Sequence, residues 1–140
     1  MKTVITNGII ITMNRNMDMY PDGYVIVEDS RISEVGPMEA LGRRMTEWGH
    51  GRQEGISIID AGHGIVMPGM VNTHCHMGMI PFRGLGDDCK DRLRVFLLPM
   101  ESRAMDRELA SLSSRYAICE LLLSGVTTVM DMYYFEDAVA

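Results

Sequence analysis

Between Ile65 and Met132 the chain runs through a strand-like segment, a glycine-punctuated loop, a helix and a second strand. That order constrains the fold more than any other feature. The first segment, "IVMPGMVNTHCH", is apolar and carries a Pro-Gly pair. The loop is "MGMIPFRGLGDDCKDRL", residues 77–93. Asp106 is placed to cap a helix, and Leu109, Leu112, Tyr116, Cys119 and Leu123 recur at spacings of three and four. The spacing predicts an amphipathic helix with that apolar face inward. Gly125 stands where a helix ends, and "VTTVMDM" (126–132) reads as a buried strand. Strand, helix and strand in this order predict a βαβ unit with parallel strands. The closing "YYFEDAVA" reads as a loop entering another helix.

The first 65 residues are different in kind. "TVITNGIIITMN" is rich in β-branched residues and broken at Asn7-Gly8, so it reads as one or two strands. Residues 23–37 carry a hairpin signal around Glu28-Asp29-Ser30, and "ISIID" (56–60) returns to strand. Residues 38–55 begin like a short helix and form a surface excursion. The expected division is a β-rich domain over 1–65 and a βαβ portion over 66–140. A lone βαβ unit leaves both parallel strands needing neighbours. We therefore read the 140 residues as the opening of a longer protein.

Composition narrows the function. The formal net charge of −6 argues against a partner bound through phosphates. No apolar run approaches the roughly 20 residues of a membrane span, and the N-terminus has no cleavage-site pattern. Three cysteines with no CxxC spacing fit reduced thiols in a cytoplasmic protein. The 14 methionines read as core filler. A small-molecule substrate is the expected partner, with no nucleic acid and no membrane.

His74 and His76 flank Cys75 where the first strand meets its loop. Residues two apart on a strand share a face, so the two imidazoles stand side by side. In barrels of alternating strands and helices, that strand end carries the active site. Neutral imidazole is the commonest metal ligand. The pair alone leaves a metal site and a polar strand end both open. His50, in the excursion, and His63, in a turn, are expected to have no such role.

The surrounding pattern is more specific. Asp60, Gly64 (shifted slightly within its turn), Pro68, Gly69, Asn72, Thr73, His74 and His76 follow an Asp-x-x-Gly…Pro-Gly…Asn-Thr-His-x-His order. This resembles the amidohydrolase superfamily. "IPFRGLGDD", "LPMESRAMDRELA" and "LLLSGVTTVMDMYYFEDAVA" are similar to the branch holding S-adenosylhomocysteine/methylthioadenosine deaminases and triazine hydrolases. The resemblance covers the chain apart from 38–55. It implies an α/β fold, the start of a TIM-like (β/α)8 metal-dependent hydrolase barrel preceded by a small β-sandwich domain. It implies one divalent metal ion, zinc with iron as the alternative, for which His74 and His76 would be two ligands.

The implied reaction is attack of metal-bound hydroxide on a ring carbon of a purine-like heterocycle, with ammonia leaving. A triazine-type amino- or chlorohydrolase is the alternative; a non-catalytic short protein is the rival from another class. Pro99-Met100-Glu101 matches the element whose Glu holds ribose hydroxyls in the deaminases, so Glu101 is the substrate-contact candidate. Its other reading is a carboxylate at a helix start. The branch's usual Trp-Leu pair is here Arg92-Leu93, which moves any aromatic wall elsewhere, with Phe96 as a candidate. Trp48 lies in the excursion. Arg83 could meet a substrate anion; a loop anchor is the preferred reading. The family's remaining ligands and proton shuttle lie on later strands, so no catalytic residue is expected within the chain. Asp131 is not expected to be a ligand, and the chain alone is expected to be inactive. Family members are often dimers or tetramers, which makes a homo-oligomer compatible with the resemblance.

Overall fold

The computed structural model describes residues 1–47 and 55–139. They fall into two compact units, Met1–Pro68 and Gly69–Ala140.

In the first unit, β1 (Lys2–Ile11), β2 (Met19–Glu28) and β3 (Arg31–Pro37) form an antiparallel meander. β4 (Ile56–Asp60) and β5 (Ile65–Val66) lie parallel to β1 along its other edge. Residues of β1 alternate between buried and partly buried, as a half-covered strand requires. The helix α1 (Met38–Glu47) covers one face of the sheet. Its Leu41 is buried with Val4, Tyr24 and Ile26 in the core of the unit. Among the described residues the other face has no second layer, and it leaves Ile32 and Ile59 half exposed or more.

Asn7-Gly8 does not split β1; it bends it. Asn7 takes a positive φ of 54°, and the register with β2 shifts there. Gly8 is needed because an added Cβ would meet the Val66 side chain at 2.8 Å. The turn after β4 docks on this bend. The Ala61 N–H donates to the Thr6 carbonyl at 2.8 Å and the His63 N–H to the Asn7 carbonyl at 2.7 Å. Trp48 and His50 lie outside the described residues.

In the second unit β6 (Met70–Cys75) and β7 (Val126–Asp131) pair in parallel, with Met70 opposite Val126 and Cys75 opposite Asp131. The connection is more ordered than the loop the sequence suggests. A 3-10 helix (Met77–Phe82) leaves the strand, turns follow at Gly84 and Gly86, and a π-helical turn (Leu93–Leu97) runs into α2 (Leu98–Ala104). The main helix α3 (Arg107–Leu123) begins and ends where its sequence predicts. Asp106 caps it, its carboxylate accepting the Leu109 N–H at 2.8 Å, and Gly125 closes it at φ +80°. A short helix, α4 (Glu136–Val139), follows β7.

The face that α3 buries is not the predicted one. Ala110, Ser113, Ser114 and Ala117 point inward, whereas Leu112 and Tyr116 are more than half exposed and Leu123 is 90% exposed. The helix packs against the 3-10 helix and β7. Small side chains allow that close approach; leucines would hold the backbones apart. Among the described residues Val71 of β6 and Met130 of β7 are each more than 60% exposed.

Candidate metal and substrate site

The strand end at His74 is built by local hydrogen bonds. The Asn72 side chain accepts the His74 N–H at 3.1 Å, and the ladder between β6 and β7 is irregular between Asn72 and Cys75. The rings of His74 and His76 lie 5.0 Å apart, centroid to centroid, at 76°. The end of β7 clamps the second histidine. The Met132 N–H donates to the Cys75 carbonyl at 3.0 Å, and His76 Nδ1 lies 2.6 Å from the Met132 carbonyl oxygen. A carbonyl oxygen only accepts, so Nδ1 carries the proton and the lone pair of a neutral ring sits on Nε2. A backbone carbonyl holding the far nitrogen of a metal-binding imidazole is a recurrent arrangement. The Asp131 carboxylate accepts the Met77 N–H at 2.7 Å, which occupies it in holding the turn after His76.

The chemistry of these two residues fits a divalent ion, which they could hold only in part. Two imidazoles share a face, His74 is exposed, and His76 has its tautomer fixed. Among the described residues no group of three or more His, Cys, Asp or Glu side chains is placed to hold a metal. Cys75, between the two histidines, sits on the opposite side of the strand. Burial and the nearby Asp131 push its thiol up, so it stays protonated and is a poor nucleophile. All three cysteines are free.

Glu101 is only 3% exposed, in the first turn of α2 behind Pro99. It lines a cavity of about 330 Å³ together with His76, Met79, Leu93, Leu98 and the run Met132–Tyr134. The structure thus brings the sequence candidates His76 and Glu101 to one cavity. The Tyr133 hydroxyl donates to Glu101 Oε1 at 2.9 Å. Burial, and then the carboxylate, push the Tyr133 phenol up, so it remains a donor. The aromatic lining comes from Tyr133 and Tyr134, whose rings are 5.1 Å apart. Phe96 packs instead against Gly86. Sequence reasoning weighed Asp131 only as a metal ligand and passed over Met132 and Tyr133. The available signal was their place at the C-terminal end of the next parallel strand, where barrel sites gather.

Arg83 is a loop anchor. Its guanidinium forms a fork with the Glu120 carboxylate at 2.8 and 3.2 Å, which raises the Arg83 pKa and lowers that of Glu120. Arg92, which stands in place of the aromatic residue usual in the branch, ties down the preceding turn. Its Nε donates to the Leu85 carbonyl at 2.7 Å and it pairs with Asp87 at 3.0 Å. His63 is exposed in its turn at φ 62°.

Residues 65–140 match the amidohydrolase family. Over 141 aligned residues the chain is 37% identical to the 5-methylthioadenosine/S-adenosylhomocysteine deaminase of Symbiobacterium thermophilum, covering 99% of this chain and 30% of that protein. The crystal structure of an adenosine deaminase from Xanthomonas campestris with bound zinc superposes with a TM-score of 0.76 at 26% identity, over 99% of this chain and 30% of the other. The atrazine chlorohydrolase of Arthrobacter aurescens, complexed with zinc, superposes with a TM-score of 0.74 over 98% of this chain and 32% of the other. At 20% identity it shares the fold alone. The chain spans about 30% of the length of the curated relatives it matches. The fold class is the α/β one expected from the sequence, a β-rich unit followed by the opening of a TIM-like barrel. The histidine pair at a strand end, the architecture around it and the match over 65–140 agree: this chain belongs to the amidohydrolase family.

Proposed function

We propose that the protein carrying this chain is a metal-dependent aminohydrolase that removes an amino group from a purine-like heterocycle. In this reading residues 1–65 supply a β-rich accessory domain and residues 66–140 the first βαβ portion of the catalytic barrel. His74 and His76 would hold a single divalent ion, zinc, in a cytoplasmic enzyme. When bound, the ion supplies Lewis acidity that brings the pKa of a water near neutrality. His76 contributes through its ring orientation, because the Met132 carbonyl keeps the proton on Nδ1. Glu101 orients the substrate by accepting hydrogen bonds from its polyhydroxylated part. Tyr134 presents apolar ring surface to a flat base.

The observation that carries this reading is the cavity shared by His76 and Glu101, an ion-binding side chain and a substrate-binding side chain lining one space. The deaminase-named relative at 37% identity supports ammonia over halide as the leaving group. The test is the longest natural gene product containing this chain, purified and analysed for bound metal and for ammonia release from 5′-methylthioadenosine. We expect bound zinc and ammonia release, with both reduced by at least about 100-fold in His74→Ala and His76→Ala. Retention of the metal by both variants would remove the ligand assignment. Release of chloride from a chlorotriazine, with no ammonia from the nucleoside, would move the protein to the triazine class.

A further inference from the structure

β7 is followed directly by two consecutive residues that hold two different parts of the site. Met132 accepts from His76 through its backbone carbonyl at 2.6 Å, and Tyr133 donates to Glu101 through its side chain at 2.9 Å. The ring of Tyr133 is seated on Gly78, where an added Cβ would collide with it. Gly78 belongs to the 3-10 helix that begins directly after His76. The phenol therefore rests on the segment leaving the histidine pair and reaches from there to the carboxylate. Glu101 Oε2 has no partner among the described residues, while Oε1 is taken by Tyr133.

We propose that Tyr133 is a positioning residue that sets how Glu101 meets the substrate. By occupying one carboxylate oxygen it leaves the other as the acceptor for substrate donors. By joining Glu101 to the segment after β7 that also holds His76, it sets the span between the anchored polar group and the reacting carbon. A carboxylate held in one rotamer has less conformational freedom to lose on binding. Without the phenol, Glu101 would be buried with Oε1 unpartnered, and it would turn or take up water. The inference rests on the substrate role proposed above for Glu101.

The experiment uses the full natural gene product and two probes, adenosine and dideoxyadenosine, which differ only in the vicinal ribose hydroxyls. Their Kd values are measured by calorimetry on metal-stripped protein, and KM and kcat on the zinc-loaded enzyme. Tyr133→Phe keeps the ring and removes the hydroxyl. We expect the preference for adenosine to fall about tenfold, the worth of one hydrogen bond to a charged group. The change should lie in Kd and KM for adenosine, with metal content and the values for dideoxyadenosine unchanged. Gly78→Ala, which displaces the ring and spares the hydroxyl, should reduce the preference in the same direction and serves if Y133F is poorly folded.

If E101Q abolishes the preference and both Y133F and G78A leave it intact, the Tyr133 proposal fails and the role of Glu101 stands. If E101Q also leaves it intact, or the wild type has none, the substrate role of Glu101 fails and takes this inference with it. An equal loss for both probes in Y133F would mark a merely structural tyrosine and overturn the proposal.

Discussion

Two strand ends in this chain lead into a histidine, and they differ in where their polar groups go. At the end of β4 the Asp60 carboxylate accepts from the Gly62 N–H at 2.9 Å and from the Asn7 amide at 3.1 Å. His63 there lends its backbone N–H to Asn7, and among the described residues its exposed ring bears on the turn only electrostatically, through Asp60. At the end of β6 the backbone is also tied, but the His76 ring is oriented by the Met132 carbonyl and faces a cavity. The first arrangement completes a turn. The second fixes which ring nitrogen of His76 carries the lone pair. The lesson is that a histidine becomes a ligand candidate when its second nitrogen is spoken for.

Three substitutions break or sharpen that contrast. Leu41→Ala should have the largest effect on stability. It empties a fully buried site in the first unit, at a cost of about 2–5 kcal/mol. Denaturant unfolding of the full gene product would read it, and zinc affinity of the folded fraction should not change. A change in that affinity would break the separation between scaffold and site. Asp131→Ala comes next. It leaves the Met77 N–H without its carboxylate, a loss of about 1–3 kcal/mol. Because that bond shapes the turn after His76, zinc affinity should fall about tenfold as well, read by competition with a chelator. An unchanged affinity would mean that the carbonyl of Met132 suffices.

Asp60→Asn should be the smallest. Hydrogen bonds from Gly62 and then Asn7 hold the Asp60 carboxyl below its ordinary 3.8. A carboxylate with a lowered folded pKa stabilises the fold above its unfolded pKa, and the benefit is lost as pH falls through the folded value. The wild type should therefore lose part of its stability below about pH 4, and the variant should show a shallower acid limb. The group is exposed, so the difference is expected only there. A shift in zinc binding at neutral pH would contradict its assignment to the turn.

Much of this was legible without coordinates, for physical reasons that can be named. Alternation and β-branched residues announced β1 to β4, and the helix α3 declared both its ends through Asp106 and Gly125. Such features depend on neighbours within a few residues. The inward face of α3 did not declare itself. Its leucines and Tyr116 form the stronger apolar stripe, yet the small residues Ala110, Ser113, Ser114 and Ala117 meet the 3-10 helix and β7. Which stripe is buried depends on what packs against it, and periodicity carries no information about the partner.

The site divides the same way. His74 and His76 were visible as a pair because the two-residue period of a strand puts them on one face. Glu101 was named through a resemblance, and Tyr133 was not named at all. The contact between those two joins residues 32 positions apart. The clamp on His76 reaches across 56 residues to a backbone carbonyl, a group every residue possesses and no sequence pattern marks. By itself the sequence determined the elements, their caps and the side-by-side histidines, since local sterics and hydrogen bonding decide these. Only the tertiary structure decided the tautomer of His76, the burial of Glu101 and its tie to Tyr133, because each depends on parallel strands brought together by a long connection.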